Sequence, residues 1–300
     1  MANIRIGTRG SKLALWQANF IKDQLESLGH QVQLTIIKTK GDKIQHLGFD
    51  KIEGKGFFTK ELEDALLEER VDLAVHSMKD LPTTQPEGLR LAAVSYRANP
   101  SDCLILRKEV VDESQDLSFK ANAIIGTSSA RRKAQMLHFR PDINLKDIRG
   151  NVPTRLQKLR EQQFDGILLA TAGLERLKID LSEFHCIEFD PREFIPAPAQ
   201  GVLALQVRAT DRPLYDILRR LHNSATVRCT NIERGVLQLT QGGCHIPLGV
   251  YCEQDSKGNY HVWAAQAATW ESPLRSVQLS SSSKANLAQR VFDKLQQVNV

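Results

Sequence analysis

The apolar positions in the first half of the chain fall into two alternating patterns. Short apolar runs bounded by glycine or polar residues predict buried strands, and longer stretches with apolar residues three and four positions apart predict amphipathic helices. The predicted strands are Ile4–Gly7, Val32–Ile37, Leu73–Val75, Ala123–Ile125, Asn144–Ile148 and Gly166–Ala170. The predicted helices are Leu13–Leu28 and Phe58–Glu69, the second with Thr59 as its N-cap. This alternation is typical of α/β domains built on parallel-rich sheets.

The pattern changes at two places, which we interpret as domain boundaries. It resets around Tyr96–Ser101, and a proline-rich hinge follows at Pro196–Gly201. After the hinge, Val202–Val207 predicts a strand that returns to the first sheet.

The last third of the chain predicts an α+β tail. Two helices are expected from Pro213 onward, then a hairpin of Leu248–Cys252 and Tyr260–Ala265, and a final helix. We therefore expect three domains: residues 1–96 together with 197–215, residues 97–196, and residues 216–300.

Three polar, glycine-containing loops follow predicted strands. They are Thr8–Lys12, Gly126–Arg132 and Arg149–Arg155, and the last two lead into helices. Ligands bind beyond the carboxyl ends of strands in open α/β sheets, and helix N-termini offer unpaired N–H groups to anions. Arginine adds a planar fork that matches a carboxylate or a phosphate. A single Ser or Thr in such a loop often only caps a helix, but three such loops together predict an anion-binding site.

The basic residues are concentrated in one segment. The formal net charge of the 300 residues is only +5, whereas the segment from Gly126 to Arg160 holds nine basic residues against two acidic ones, Asp142 and Asp147. This local surplus of seven positive charges predicts an anionic ligand.

One cysteine stands apart from the other four. Cys244 follows Gly242 and Gly243, between a predicted helix and a predicted strand. Glycines favour tight turns, so this thiol is expected at a loop apex, where it can act as a nucleophile or an attachment point. The cysteines interpreted as small buried hydrophobes are Cys103, Cys186, Cys229 and Cys252. An odd total of five, with no CxxC spacing, argues against a disulfide framework or a zinc site.

Other local signals are weaker. Gly54–Phe58 lacks the spacing of a P-loop, so we reject nucleotide binding, and both a mobile lid and a plain linker stay open. His76 is interpreted as a structural histidine. Asp80 alone would be a turn aspartate, but at a strand end facing arginine loops it becomes a candidate general acid or stabiliser of a cationic intermediate.

No apolar run approaches a membrane span and no signal peptide is recognisable, so we expect a cytoplasmic protein.

Together these motifs resemble hydroxymethylbilane synthases, also called porphobilinogen deaminases, over nearly the whole chain. The stretches that carry the resemblance are TRGSKLALWQ from Thr8, GKGFFTKELEDALL from Gly54, DLAVHSMKDLP from Asp72, GTSSARR from Gly126, RGNVPTRLQKL from Arg149, LATAGLERL from Leu169, PAPAQG from Pro196 and GGCHIPLG from Gly242. Ala199 departs from the family pattern, which usually has glycine before the Gln-Gly pair.

The resemblance implies an α/β fold of two domains similar to type II periplasmic binding proteins, with an interdomain cleft, plus a small C-terminal α+β domain that carries the cysteine loop. It implies a monomeric transferase that joins four porphobilinogen molecules head to tail into hydroxymethylbilane and releases ammonia. The growing chain is primed by a dipyrromethane cofactor bound to a cysteine as a thioether, and Cys244 matches that attachment site.

The resemblance also implies roles for individual residues, and no metal. Asp80 matches the catalytic aspartate, while Lys55 and Phe58 match a lid over the site. The residues expected to bind the cofactor are Ser77, Lys79, Thr127, Ser128, Ser129, Arg131, Arg132, Arg149 and Arg155. The residues expected to bind substrate are Arg9, Ser11, Arg149, Arg155, Arg176 and Gln200. Each added pyrrole brings two carboxylates, whose burial without counterions would be costly, so arginine-rich loops suit this chemistry.

Two other classes of protein compete on the residues alone. A binding protein for an anionic ligand leaves Cys244 unexplained, and a secreted one would need a signal peptide. A nucleic-acid binder would need aromatic residues for base stacking, which are scarce in the basic segment. We therefore expect porphobilinogen as the partner, and neither nucleic acid nor a membrane.

Overall fold

The computed structural model describes residues 1–39, 59–241 and 246–298. Its strands are β1 Asn3–Thr8, β2 Gln31–Ile36, β3 Leu73–Ser77, β4 Leu89–Val94, β5 Asp102–Arg107, β6 Ile124–Gly126, β7 Asn144–Lys146, β8 Gly166–Ala170, β9 Phe184–Glu188, β10 Leu203–Arg208, β11 Leu248–Gln254, β12 Tyr260–Gln266 and β13 Arg275–Ser281. Its helices are α1 Lys12–Ser27, α2 Lys60–Leu67, α3 Ala130–Phe139, α4 Val152–Arg160, α5 Thr171–Arg176, α6 Arg212–Leu218, α7 Ser224–Leu239 and α8 Leu287–Gln297. The described residues form two compact units: 1–39, 59–98 and 201–228 in the first, and 99–200, 229–241 and 246–298 in the second.

The first unit is built on a five-stranded sheet of order β2-β1-β3-β10-β4. Strands β1, β2 and β3 pair in parallel, and β10 is antiparallel to both β3 and β4, so one strand runs against the other four. Alternating residues of each strand face opposite sides of the sheet. Helices α1 and α6 cover one side, where Ile21 and Leu218 are fully buried, and α2 covers the other through Leu66.

The second unit repeats this plan with the order β7-β6-β8-β5-β9. Here β5 is the strand that runs against its neighbours β8 and β9. Helix α3 packs on one side through Met136, and helices α4 and α5 pack on the other through Leu159 and Leu174. The strands of both sheets therefore end in loops at the N-termini of α1, α3 and α4, as the anion-site prediction requires.

The tail of the second unit is a separate α+β layer. Strands β11, β12 and β13 form an antiparallel sheet, and α8 packs on it through Val291 and Leu295 beside Val236 of α7. The predicted hairpin is confirmed: β11, which begins at Leu248, pairs antiparallel with β12, which begins at Tyr260.

Several sequence predictions are corrected by the structure. The returning strand is confirmed as β10, but β4, β9 and β13 were not predicted. Thr59 does occupy the N-cap position of its helix, yet its side chain makes no capping hydrogen bond. Cys186 is exposed rather than buried, because it lies on the edge strand β9; Cys103, Cys229 and Cys252 are buried as expected. The three-domain division stays a prediction.

Candidate active site

The loop after β1 is fixed by helix capping. Ser11 is the N-cap of α1, and its hydroxyl accepts a hydrogen bond from the N–H of Ala14 at 3.2 Å. The buried Thr8 hydroxyl donates to the carbonyl of the same Ala14 at 3.1 Å. Arg9 lies between these two anchored positions and is half-buried. The local sequence thus holds one arginine at the end of an interior strand of the sheet.

The segment after β3 places one exposed carboxylate on a rigid base. Ser77 ends the strand, and its hydroxyl accepts a hydrogen bond from the buried amide of Gln17 at 2.9 Å. The chain then makes one 3-10 turn, in which Met78 is buried, Lys79 is half-buried and Asp80 is exposed. The N–H of Met78 donates to the carbonyl of Val202 at 2.9 Å. Asp80 is therefore held at a strand end with its side chain in solvent.

His76 belongs to a buried polar network beneath this turn, which confirms the structural interpretation. Its Nε2 donates to Oε1 of Gln206 at 2.9 Å, and the Gln206 amide donates to Gln85 at 2.9 Å and to Glu63 at 3.3 Å. Burial lowers the pKa of His76 to about 4, with a further contribution from the charge of Arg9. Burial also raises the pKa of Glu63. His76 is thus neutral near pH 7.

In the second unit, hydroxyl groups hold the loop after β6. The side chain of Ser129 caps α3 by accepting from the N–H of Arg132 at 3.4 Å, and Thr127 accepts from the N–H of Ser129 at 3.3 Å. Ser128 Oγ donates to the carbonyl of Ile148 at 2.9 Å and accepts from its N–H at 3.1 Å. These bonds join the loop after β6 to the segment after β7.

Asp102 is the centre of a buried arginine cluster that the sequence did not reveal. Its carboxylate is fully buried and accepts from Arg131 Nη1 at 2.7 Å, from Arg132 Nη2 at 2.7 Å and from Gln200 Nε2 at 2.9 Å. Burial alone would raise the pKa of Asp102, but the two guanidinium groups outweigh it and hold that pKa well below the ordinary range. Arg131 also donates to the carbonyl of Ile195 at 2.9 Å. Both arginines are therefore fixed by the protein's own carboxylate.

The loop after β7 concentrates positive charge around a glycine. Gly150 has φ +112°, and a Cβ there would lie 2.7 Å from Cγ2 of Thr154. Its carbonyl accepts a hydrogen bond from Arg155 Nε at 2.8 Å. Burial, followed by the charges of Arg132 and Arg149, lowers the pKa of Arg155 to about 10. Among the described residues no carboxylate forms an ion pair with Arg155, so this loop is suited to an external anion.

The remaining predicted residues lie at several places. Arg176 is the last residue of α5 and is half-buried, whereas Gln200 is buried and donates to the carbonyl of Pro100 as well as to Asp102. Lys55, Phe58 and Cys244 lie outside the described residues. Within the second unit, Thr127, Ser128, Ser129, Arg131, Arg132 and Gln200 belong to connected hydrogen-bond networks. Arg9, Ser11, Ser77, Lys79 and Asp80 follow two neighbouring strands of the first unit.

The charge surplus inferred from the sequence is smaller in the folded chain. The pairs of Lys133 with Asp147 and of Arg140 with Asp142 are already contained in the surplus of seven, but Glu183 from outside the segment pairs with Arg160. Asp102 adds a further carboxylate from outside it. Glu183 and Asp102 together lower the local surplus from seven positive charges to five, and Arg155 forms no ion pair with a carboxylate of the described residues.

Sequence reasoning also missed Gln135 and Glu233. Gln135 accepts from the N–H of Ile195 at 2.6 Å and donates to its carbonyl at 2.9 Å, so it holds the start of the hinge. Glu233 is a fully buried carboxylate in α7. Glu233 could have been identified from the sequence as a charged residue on an otherwise apolar face of a predicted helix.

The described part of the chain has neither a metal-binding cluster nor a membrane-spanning helix. No cluster of three His, Cys, Asp or Glu side chains there could hold a metal ion. No helix there combines the length and the apolar composition that crossing a membrane needs.

Comparison with known proteins gives a consistent family match. Residues 4–216 match the family described as porphobilinogen deaminase, dipyromethane cofactor binding domain. A Nitratiruptor protein named porphobilinogen deaminase is 49% identical over 247 residues, which cover 82% of this chain and 77% of the relative. One from Maridesulfovibrio salexigens is 47% identical over 258 residues, covering 85% and 82%. A solved Salmonella typhimurium periplasmic binding protein with high arginine specificity aligns at a TM-score of 0.44 and 10% identity, covering 76% of this chain and 94% of that one.

Proposed function

Because the chain belongs to the porphobilinogen deaminase family, we propose that Cys244 is the attachment point of its dipyrromethane cofactor and Asp80 its catalytic carboxylate. The chain has hydroxymethylbilane synthase function: it joins four porphobilinogen molecules head to tail on a covalently bound dipyrromethane primer, releasing ammonia and then hydroxymethylbilane. It is thus an enzyme of tetrapyrrole synthesis, and by the group transferred it is a transferase.

The arginines of the second unit fit a cofactor that carries carboxylates. Bound dipyrromethane would supply the free ring carbon for the first condensation, and each later porphobilinogen would be joined to the ring added before it. Burial lowers the pKa of Arg155, and its like-charged neighbours Arg132 and Arg149 lower it further. A carboxylate placed beside these groups would relieve that repulsion and would accept forked hydrogen bonds. We assign Arg149 and Arg155 to the acetate and propionate groups of cofactor and substrate, with Arg176 as a further substrate contact.

Arg131 and Arg132 contribute differently to this site. Both are held by Asp102, so their hydrogen-bonding capacity is partly used inside the protein. Together with the hydroxyls of Thr127, Ser128 and Ser129, they form the rigid base of the cofactor-binding loops. Preorganised dipoles and charges of this kind stabilise developing charge without reorganising during the reaction.

Asp80 supplies negative charge where the reaction needs it. Its side chain is exposed at the end of β3, on a turn whose base is fixed by Gln17 and Val202. An ionised carboxylate there stabilises positive charge that develops on a pyrrole when the amino group leaves, and it can accept hydrogen bonds from pyrrole N–H groups. Proton donation to the leaving amine is the second role open to this group.

The other polar residues of the first unit bind porphobilinogen in this proposal. Arg9 presents its charge to the substrate carboxylates, and Ser11, Ser77 and Lys79 lie at the ends of the two neighbouring strands. The neutral state of His76 avoids a buried positive charge near Arg9. Lys55 and Phe58 are assigned to the lid on the family pattern alone.

The observation that carries the function is the family match over residues 4–216, together with relatives such as one that is 49% identical, whereas the assignment of Cys244 is supported by the GGCHIPLG stretch from Gly242. Its test is the intact mass of the purified holoenzyme, which is expected to exceed the sequence mass by two pyrrole units. Cys244→Ala is the control and is expected to have the bare sequence mass and no turnover. Full activity in a protein of unmodified mass, or the same added mass on the alanine variant, would contradict the assignment.

We further propose that the active species is a monomer that does not bind nucleic acid. The ion pairs of Lys133, Arg140 and Arg160 support the second point, since they leave few basic groups in a continuous track for phosphates. Sedimentation of the holoenzyme and titration with duplex DNA test the two points. The cytoplasmic location stays a prediction.

A further inference from the structure

Ala199 adopts a backbone conformation that alanine disfavours. Its φ is +62°, in the left-handed region, and its side chain is fully buried. A Cβ crowds the following carbonyl in this conformation, and glycine lacks that penalty. The surrounding structure must therefore hold the backbone of Ala199 in place.

Glu233 provides this support from helix α7. One carboxylate oxygen accepts a hydrogen bond from the N–H of Ala199 at 2.7 Å, and the other accepts from the N–H of Cys252 in β11 at 2.8 Å. The Glu233 side chain is fully buried. Two short hydrogen bonds to a buried carboxylate form a strong and directional clamp.

The clamped segment also holds the arginine cluster. Gln200, next to Ala199, donates to Asp102 at 2.9 Å, and the carbonyl of Ile195 accepts from Arg131 at 2.9 Å. The other side of the segment pairs with β11, because Val250 donates to the carbonyl of Pro196 at 3.0 Å.

Gly249 permits this close approach to β11. A Cβ on Gly249 would lie 2.5 Å from the carbonyl oxygen of Ile195. The hinge, β11 and α7 are therefore closely packed against one another. In sequence, α7 precedes the Cys244 segment and β11 follows it.

We propose that Glu233 is a positioning residue for the condensation reaction, acting through Ala199 and Gln200 on the carboxylate of Asp102 and its two arginines. This inference rests on the proposed function. In this proposal Glu233 contacts neither substrate nor cofactor. Its carboxylate fixes the hinge in the left-handed conformation that directs Gln200 toward Asp102, and it ties that hinge to β11.

A purely structural role would not require a carboxyl group at this position. Apolar side chains of similar volume often stabilise a fold as well as a buried charge does. The carboxylate instead accepts from two backbone N–H groups 53 residues apart in sequence, Ala199 and Cys252, and so sets their relative position. This geometry predicts a link between the Ala199 conformation and turnover.

The test uses the full-length holoenzyme and compares Glu233→Gln with the double variant Glu233→Gln/Ala199→Gly. An amide can accept only one of the two hydrogen bonds, so Glu233→Gln is expected to lower kcat roughly tenfold, with a smaller change in KM. Glycine holds a positive φ without support, so adding Ala199→Gly is expected to restore kcat to within about threefold of the wild type.

The matched control is Gln162→Gly in the Glu233→Gln background. Gln162 also has a positive φ, 59°, but it lies in an exposed turn after α4. Its replacement gives the same backbone relief and is expected to leave the low kcat unchanged. Intact mass and thermal unfolding are recorded for every variant, so that cofactor content and folding are known.

Three results would overturn the proposal: wild-type kcat in Glu233→Gln, no recovery with Ala199→Gly, or equal recovery with Gln162→Gly. If Glu233→Gln does not fold, the same comparison in a Glu233→Asp background decides, because the shorter carboxylate keeps its charge but cannot reach both N–H groups. A wild-type protein that does not consume porphobilinogen would overturn the proposed function itself. An active wild type with unaffected variants would overturn the positioning role alone.

Discussion

Replacing Asp102 by asparagine tests how the arginine cluster is held together. The change keeps the size of the side chain and removes the charge that Arg131 and Arg132 share. One oxygen of the new amide can still accept a hydrogen bond, but its NH2 group points donors at guanidinium groups that are themselves donors. Two buried positive charges are then left without a counter-charge.

The expected loss of stability follows from burial. Asp102 is fully buried and accepts from Arg131, Arg132 and Gln200 at 2.7–3.1 Å. Breaking a buried pair by removing one partner costs about 3–5 kcal/mol. In a domain of this size each kcal/mol lowers the unfolding temperature by roughly 2–4 °C, so we expect Asp102→Asn to unfold about 10 °C below the wild type.

The pH dependence gives a second readout. Folding lowers the pKa of Asp102, so its ionisation stabilises the fold above its unfolded pKa of about 3.9, and this stabilisation is lost as pH falls toward the folded-state pKa. The stability difference between wild type and Asp102→Asn should therefore be constant near neutral pH and shrink in acid. Thermal unfolding followed by circular dichroism from pH 7 downward measures it.

Asp147→Asn is the matched control for this prediction. Its carboxylate also pairs with a cation, Lys133 at 2.8 Å, but its side chain is 47% exposed. An exposed pair contributes about 0–1 kcal/mol, so a shift of at most a few degrees is expected. Equal shifts for the two variants, or an Asp102→Asn protein as stable as the wild type at pH 7, would refute the view that Asp102 is the counter-charge of the cluster.

Three other substitutions probe the candidate site directly. Asp80→Asn is expected to lower kcat by about 10²–10³-fold with an unchanged unfolding temperature, since an exposed charge contributes mainly to the transition state. Its control is Asp216→Asn, which changes an exposed aspartate in α6. Comparable rates for the two variants would show that Asp80 has no part in the mechanism. Arg155→Leu is expected to stop chain elongation early, seen by mass spectrometry as shorter enzyme-bound chains, and complete elongation would contradict its carboxylate role. Gly150→Ala is expected to lower the free energy of unfolding by about 2 kcal/mol, because Gly150 has a positive φ and its Cβ site is crowded. Gly29→Ala, with φ +86° and open surroundings, should cost less. Equal costs would show that crowding is unimportant.

Strands with several apolar residues close together could be predicted from the sequence, whereas half-exposed strands could not. β8, with four buried residues in five, was predicted with its observed bounds, Gly166–Ala170. β13, Arg275–Ser281, buries only Val277, so its alternation is hidden among serines. β9 lies at a sheet edge and has one buried residue, Phe184. An edge strand owes its conformation to a neighbour that a sequence window does not contain.

The same limit applies to the candidate site. The loops after β1, β6 and β7 could be predicted, because strand ends and helix starts are local features. The partner of Arg131 and Arg132 could not, since these arginines lie in helix α3 and Asp102 lies 29 and 30 residues earlier, on strand β5. Counting charge within a segment therefore overestimated the free positive charge. The conformation of Ala199 was also hidden, because its support comes from Glu233, 34 residues away.

The position of β10 between β3 and β4 has a consequence for the order in which the chain folds during synthesis. An interior place in the first sheet, between β3 and β4, is filled by residues 203–208, whereas all five strands of the second sheet lie between residues 102 and 188. A ribosome therefore releases every strand of the second sheet before the first sheet can close. Until β10 emerges, β3 and β4 expose unpaired edges, which favour aggregation in nascent chains. The N-terminal unit, although made first, is completed after the sheet that follows it.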